Sequence, residues 1–213
     1  MQKSPLLLLL LVCAGCHWPA SVPERWDRPA VVFLGDSLTA GQGVDRSQAY
    51  PALVEERMRR AGFDFPVVNA GISGDSTDNG LARLDKILRY PVAVLLVELG
   101  ANDALVHHRS PDEIRSNLAR IVVRGRAAKA RVVLAGMKIP LWFPEDYRRG
   151  FEEVYPSLAL EYDLPLVPFL LEGVGGDPRF NQGDGIHPNA EGYRLVADVV
   201  WPVLEPVLRG AAR

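Results

Sequence analysis

Short apolar runs that alternate with amphipathic stretches are the feature of this sequence that most constrains its fold. The apolar runs lie at residues 30–34, 66–69, 92–99, 131–137 and 164–169, and the amphipathic stretches lie at residues 51–60, 77–88, 111–129, 147–162 and 189–208. The runs have the length and composition of buried strands, whereas the stretches repeat their apolar residues every three or four positions, as helices do. Strands that alternate with helices form a parallel sheet covered on both faces. The sequence therefore predicts a single α/β domain with a five-stranded parallel sheet, whose last helix bends near Pro202.

The composition is that of an ordinary globular domain. With 213 residues, of which 48% are hydrophobic and 23% charged, the chain is long enough to bury a sizeable core. This composition excludes disordered, collagen-like and coiled-coil proteins. Lys and Arg number 24 against 26 for Asp and Glu, and the net charge of −2 implies no strongly basic face. We therefore expect no nucleic-acid partner.

The first residues are typical of a targeting segment rather than of a folded element. A positive charge at Lys3, a short apolar run from Leu6 to Val12 and the small residues that follow are the parts of a secretory signal. The run is too short to cross a bilayer, which needs roughly 20 apolar residues. Ala14-Gly15-Cys16 resembles the end of a bacterial lipobox, although Cys13 stands where an aliphatic residue is usual.

The resemblance to a lipobox implies cleavage before Cys16 and lipidation of that cysteine. We expect a signal peptide at residues 1–15, a tether at 16–29 and the folded domain at 30–213, with the mature protein held by its lipid in the periplasm of a bacterium. In bacterial lipoproteins an Asp after the cysteine is the usual inner-membrane retention signal, so His17 in that place favours the outer membrane. The alternative is an ordinary cleaved signal with an incidental cysteine, and plain secretion.

Polar and small residues follow the predicted strands. In parallel α/β sheets, ligands bind beyond the carboxyl ends of the strands. Ser37 closely follows the first run, Gly71 the second and Asn102 the third, while Asp184 and His187 follow the fifth across a glycine-rich loop. The sequence therefore predicts that a serine, a glycine, an asparagine and an Asp-x-x-His pair meet at one edge of the sheet.

These residue types together are those of nucleophilic catalysis. A serine hydroxyl becomes a good nucleophile only when a base takes its proton, and a carboxylate orients a histidine base. Ser37 is thus the predicted nucleophile, His187 the base and Asp184 its orienting partner. The backbone amides of Ser37 and Gly71 and the side-chain amide of Asn102 are predicted to stabilise the oxyanion, where glycine allows close approach to the substrate. Taken singly, each motif is more typical of a turn, a helix cap or a loop, and only their joint occurrence favours catalysis.

The same segments resemble the four blocks of the SGNH hydrolases, the GDSL esterase/lipase superfamily. The blocks are Gly35-Asp36-Ser37-Leu38, Gly71 within residues 69–75, Gly100-Ala101-Asn102-Asp103 and Asp184-Gly185-Ile186-His187-Pro188. Longer stretches, at residues 35–41, 72–75, 81–84, 97–100 and 184–189, are similar to the bacterial subfamily of thioesterase I, lysophospholipase and arylesterase. The resemblance covers the chain after the tether. It implies a flavodoxin-like three-layer α/β/α sandwich that hydrolyses acyl or aryl esters, with a small-molecule or lipid ester as substrate.

Apolar residues beside these blocks indicate a class of substrate. Leu105 and Val106 follow the asparagine block, and Leu141 and Trp142 follow the fourth strand. Because both segments leave the carboxyl ends of neighbouring strands, we expect the four side chains to wall a cleft beside Ser37 that suits a fatty-acyl or aryl group. The alternative is that they cover the core. The second segment is longer and more aromatic than the usual loop of the subfamily, a departure that bears on the acyl preference.

Two other functions stay open on the sequence alone. The first is a carbohydrate O-deacetylase, because the SGNH fold also serves such enzymes, but the apolar character of the predicted cleft argues against it. The second is a non-catalytic binding lipoprotein, and the presence of all four blocks argues against that.

No cofactor or metal is expected. The dinucleotide and Walker A glycine patterns do not occur. The adjacent His107 and His108 do not share a face of a helix or strand, and no third ligand accompanies them. Glu98, inside an apolar strand, is expected to be buried and hydrogen-bonded rather than catalytic.

Overall fold

A five-stranded parallel sheet forms the centre of the computed structural model, which describes residues 26–212. The strands are β1 (Ala30–Gly35), β2 (Val67–Gly71), β3 (Val92–Glu98), β4 (Arg131–Ala135) and β5 (Leu166–Val167), in the spatial order β2-β1-β3-β4-β5. Every neighbouring pair is parallel. The predicted fold class is confirmed, and the order places β1 and β3 in the middle with the carboxyl ends of all strands at one edge.

Helices cover the sheet on both faces. They are α1 (Ser37–Ala40), α2 (Tyr50–Arg60), α3 (Thr77–Ile87), α4 (Ala101–Leu105), α5 (Pro111–Ala127), α6 (Glu145–Tyr162) and α7 (Ala190–Ala211), with a 3₁₀ turn at Arg46–Gln48. Helix α2 packs against α7, while α3, α5 and α6 pack in succession, so the helices form two groups. In the part of the chain described, no helix is long and apolar enough to cross a membrane.

Prolines account for the largest difference from the predicted strands. β5 has two residues rather than the run at 164–169, and it lies at the edge of the sheet. Pro165 and Pro168 flank it and have no backbone N–H to give to a ladder, which confines regular pairing to Leu166 and Val167. By contrast, α7 continues through two prolines to Ala211 and so extends beyond its predicted end.

The packed domain is already present at Trp26, inside the segment expected to be a tether. The Trp26 side chain is buried, its ring centroid lies 4.7 Å from that of Tyr90, and its indole N–H donates to the Pro91 carbonyl at 2.8 Å. The fold therefore begins at least four residues before Ala30. The expected signal peptide, the lipidation site Cys16 and the first part of the tether lie outside the described residues.

Candidate active site

Ser37 is the first residue of α1, immediately beyond the end of β1. The short helix begins there because Asp36 caps it, with Oδ1 accepting a hydrogen bond from the Leu38 backbone N–H at 3.0 Å. It ends at Gly41, whose φ of 79° lies in the left-handed region that glycine adopts without strain. The nucleophile expected from the sequence is therefore held on a capped turn at the carboxyl edge of the sheet, where its side chain is half-buried.

His187 and Asp184 meet Ser37 at this edge. Ser37 Oγ lies 2.9 Å from His187 Nε2, and His187 Nδ1 lies 2.7 Å from Asp184 Oδ2. The other carboxylate oxygen, Oδ1, accepts the backbone N–H groups of Ile186 and His187 at 2.9 and 3.0 Å. One oxygen of Asp184 thus holds the turn while the other holds the imidazole, and the structure brings the three predicted residues together.

The charge state of Asp184 follows from these contacts. The hydrogen bonds from the His187 side chain and from the backbone N–H groups of His187 and Ile186 lower the pKa of Asp184 to about 2. The carboxylate is therefore ionised at neutral pH and can only accept, so Nδ1 carries the imidazole proton. Nε2 is left to accept the proton of the Ser37 hydroxyl.

Two of the three expected oxyanion donors have protein partners in this structure. Asn102 Nδ2 donates to Asp36 Oδ2 at 3.1 Å and to the Asp75 carbonyl at 3.0 Å, and the Gly71 N–H donates to Asn69 Oδ1 at 2.9 Å. Within residues 26–212, the Ser37 N–H has no hydrogen-bond acceptor. Ser37 and Asn102 follow β1 and β3, and Gly71 is the last residue of β2.

Glycine at position 71 has a packing reason besides the close approach to substrate that the sequence suggests. Gly71 pairs in register with Gly35, and these two residues end β2 and β1. A Cβ on Gly71 would lie 2.2 Å from the Ala40 backbone nitrogen, and one on Gly35 would lie 2.0 Å from Thr39 Oγ1. Glycine is therefore required for α1 to pack directly against the strand ends, and this packing places Ser37.

Gln182 joins the serine and histidine segments. Its Nε2 donates to the Gln42 carbonyl at 2.7 Å and to the Pro188 carbonyl at 2.8 Å. Sequence reasoning missed this residue, because a glutamine in a glycine-rich loop has no distinguishing pattern. Its two bonds connect the loop after α1 with the residue that follows His187.

Two buried carboxyl groups lie beneath α1. Asp36 and Glu98 are 1% and 0% exposed. Burial raises the pKa of Asp36 to about 6, and burial together with the neighbouring Asp36 raises that of Glu98 well above its usual range. Glu98 is hydrogen-bonded through Thr39, whose hydroxyl donates to Oε2 at 2.7 Å.

The residues expected to contact substrate divide into half-buried and exposed side chains. Leu105 is half-buried against the core, whereas Val106, Leu141 and Trp142 are 61%, 83% and 80% exposed. The segments that hold them are connected, because Tyr147 at the start of α6 donates a hydrogen bond to the Arg109 carbonyl. Their contact with substrate stays a prediction.

Comparison with known proteins identifies the family. The sequence pattern of the GDSL-like Lipase/Acylhydrolase family matches residues 33–195, which include all four blocks and the residues described above. This chain belongs to that family. The crystal structure of TesA, a solved structure that is 40% identical, matches with a TM-score of 0.80 and covers 84% of this chain and 99% of its own.

Relatives of known activity cover most of the chain. Esterase TesA of Pseudomonas aeruginosa is 38% identical over 199 residues, which are 93% of this chain and 98% of the relative. The thioesterase 1/protease 1/lysophospholipase L1 of Escherichia coli is 38% identical and covers 84% of each chain. The arylesterase of Vibrio mimicus is 36% identical and covers 91% of this chain and 94% of the relative. This member of the GDSL-like lipase/acylhydrolase family is accordingly a carboxylic ester hydrolase.

Among residues 26–212, no group of three or more His, Cys, Asp or Glu side chains is arranged to hold a metal ion. His107 and His108 are exposed. Ser37, His187 and Asp184 are joined by hydrogen bonds at the carboxyl edge of the sheet.

Proposed function

We propose that this member of the family hydrolyses acyl and aryl esters with Ser37 as the nucleophile, His187 as general base and acid, and Asp184 as the orienting carboxylate. The observation that supports the proposal most directly is the 2.9 Å separation of Ser37 Oγ and His187 Nε2. This distance is within the range for proton transfer from a nucleophile to its base. The names of the bacterial relatives, which are esterases, thioesterases and arylesterases, fit the same chemistry.

The proposed reaction proceeds in two halves. His187 takes the Ser37 proton as Oγ attacks the acyl carbon, and then gives that proton to the departing alcohol as the ester bond breaks. Water next attacks the acyl-enzyme, with His187 again accepting a proton and returning it to Ser37 as the carboxylic acid leaves. Asp184 remains ionised throughout because its hydrogen bonds lower its pKa to about 2, and it stabilises the imidazolium.

The proposed oxyanion hole consists of the Ser37 N–H, the Gly71 N–H and the Asn102 side-chain amide. A substrate oxygen at this place would exchange with the present acceptors, the Asn69 side-chain carbonyl at Gly71 and one of the two acceptors at Asn102. Hydrogen bonds to an ionised oxygen are roughly twice as strong as those to a neutral one, which favours the exchange only as charge develops. The hole would therefore act on the transition state more than on the bound ester.

Covalent labelling tests the proposed nucleophile. A fluorophosphonate probe should add once to the purified protein, and peptide mass spectrometry should place the adduct on Ser37. The Ser37→Ala variant is the control, and it should remain unlabelled. A folded wild-type protein that takes up no probe would support a non-catalytic binding protein instead.

Replacing Asn102 by alanine should lower kcat by about 10²–10³, the usual effect of removing one oxyanion donor. The expected change in KM is smaller, because the lost bond strengthens in the transition state. Asn102 also bonds Asp36 and the Asp75 carbonyl, so thermal unfolding of the variant must be measured alongside its kinetics. A change confined to KM would make Asn102 a residue that binds the ground state.

Activity should rise with acyl-chain length if Leu105, Val106, Leu141 and Trp142 wall the cleft beside Ser37. Each buried CH₂ contributes about 0.8 kcal/mol at most, so kcat/KM should increase several-fold over the first few carbons of p-nitrophenyl esters. Replacing Leu105 and Trp142 by alanine should flatten this profile and leave acetate esters almost unaffected. Leu160→Ala is the matched control, since Leu160 is 86% exposed near the far end of α6. If acetyl esters were the best substrates of the unmodified enzyme, the carbohydrate deacetylase would become the better proposal.

We also propose that the mature protein is lipidated on Cys16 and anchored to a periplasm-facing membrane, on the strength of the lipobox-like sequence. Mass spectrometry of the mature N-terminus should detect a diacyl- or triacyl-cysteine. A free N-terminus downstream of Cys16 would indicate plain secretion.

A further inference from the structure

A pair of buried carboxyl groups connects the core of the sheet to the catalytic edge. Glu98 ends β3 and lies beside Gly35, its partner in register on β1. Its Oε2 accepts hydrogen bonds from the Thr39 hydroxyl at 2.7 Å and from the Asp36 backbone N–H at 3.3 Å. Asp36 directly precedes Ser37. Glu98 thus bonds both the residue before the nucleophile and a residue of the helix that the nucleophile begins.

The hydrogen bonds around the pair indicate which group has the proton. Both oxygens of Asp36 accept, Oδ1 from the Leu38 N–H and Oδ2 from the Asn102 side-chain amide. Glu98 Oε1, by contrast, is buried and has no donor within the described residues. The two groups are adjacent, because the Asp36 backbone N–H donates to Glu98 Oε2. An ionised oxygen without a donor is costly to bury, so Glu98 Oε1 is the oxygen of the pair at which a proton is most favourable.

The surroundings of Glu98 favour its neutral form. Burial and the neighbouring charge of Asp36 raise the pKa of Glu98 well above its usual range, whereas burial raises the pKa of Asp36 only to about 6. Other titratable groups also face the pair. They are Tyr50 on α2, Asp75 just before α3, Arg83 on α3, Tyr155 on α6, Tyr193 on α7, and His187. Arg83 is paired with Asp75 at 2.7 Å and donates to the Gly35 carbonyl.

We propose that Glu98 is a positioning residue that, as a neutral carboxylic acid, accepts the Asp36 N–H and the Thr39 hydroxyl and so holds Asn102 and the Ser37 turn in their reactive places. The path is short: Glu98 bonds Asp36, and Asp36 bonds Asn102 and caps the helix of Ser37. This proposal rests on the proposed function, because the positions of Asn102 and Ser37 matter for kcat only if these two residues act in catalysis. Glu98 itself touches no substrate.

Loss of the Glu98 proton would act on both ends of this path. Two adjacent buried carboxylates repel each other. Asp36 would shift away, and its bonds to Asn102 and Leu38 would weaken. Because the neutral acid is present below the raised pKa and is lost above it, kcat should decline on the alkaline side as Glu98 ionises.

Glu98→Gln and Glu98→Leu separate a neutral hydrogen-bonding side chain from an apolar one that only fills the volume. The glutamine side-chain oxygen can accept from the Asp36 N–H and the Thr39 hydroxyl as Glu98 Oε2 does, and the amide cannot ionise. We expect Glu98→Gln to keep kcat close to wild type at neutral pH and to lack the alkaline decline. Glu98→Leu should lower kcat by about tenfold or more with little change in KM, since it leaves the buried partners unpaired.

Tyr193→Phe is the matched control. The Tyr193 hydroxyl is buried near the pair but has no hydrogen-bond partner in the described part of the chain, so its removal should leave both kcat and the pH profile unchanged. Circular dichroism at each pH separates ionisation from unfolding. If Glu98→Leu fails to fold, the Glu98→Gln kinetics decide alone.

Three results would overturn the proposal. Glu98→Gln could be as impaired as a removed side chain, which would mean that a carboxylate is needed. Alternatively, the wild type could lack the alkaline decline, or Glu98→Gln could retain it. Failure of the proposed function is distinguishable, because in that case the wild-type protein would not be labelled by fluorophosphonate at Ser37.

Discussion

Replacing Ser37 by alanine should reduce kcat by about 10³-fold or more, which is the loss typical of a triad enzyme without its nucleophile. The physical reason is that no other hydroxyl can take the place of Oγ, which lies 2.9 Å from His187 Nε2. Initial rates on a p-nitrophenyl ester measure the effect, and thermal unfolding verifies the fold.

Ser47→Ala is the matched control for this loss. Ser47 is exposed, and its hydroxyl donates to Asp45 on the 3₁₀ turn, close in sequence to the site but not part of it. This variant should retain wild-type rates. If Ser37→Ala were nearly as active as Ser47→Ala, Ser37 could not be the nucleophile.

Replacing His187 by alanine should cost nearly as much as replacing Ser37. The two act as one unit, because the hydroxyl is reactive only when Nε2 accepts its proton. The double variant should therefore be little worse than either single variant. Asp184→Asn should lose less, since the base remains in place while its orientation and the charge of its partner are altered.

His107→Ala provides the control for removing a histidine, because His107 is exposed on the segment after α4. Its kinetics should match wild type. The informative comparison is the double variant of Ser37 and His187. Losses that multiply would show that the two residues contribute independently, and a shared proton-transfer unit would then be wrong.

The architecture could be predicted because it depends on periodicity along the chain. Buried runs and amphipathic stretches are visible in the sequence, and all five predicted strands occur in the sheet. Helices α1 and α4 have four and five residues, too few to show a helical period. Their existence depends on local caps and tertiary contacts, such as Asp36 at the start of α1, and not on amphipathicity.

The candidate site could be predicted as residue types but not as a network. Position after a strand was enough to select Ser37, Asn102 and His187. The hydrogen-bond partners within the site were not predictable, because the bonds from Asn102 to Asp36 and from Gln182 to Gln42 join residues 66 and 140 positions apart. Such bonds follow from how closely α1 packs on the strand ends, which a linear pattern does not contain.

The short outer strand β5 bears on the solubility of a protein with this surface. An exposed strand edge can template the addition of a strand from another chain, which leads to aggregation. Here the last strand has two residues, and the prolines on either side have no amide to offer a visiting strand. Leu141 and Trp142, which are exposed to water after the adjoining strand β4, therefore do not lie beside a long strand edge that is open to intermolecular β-pairing.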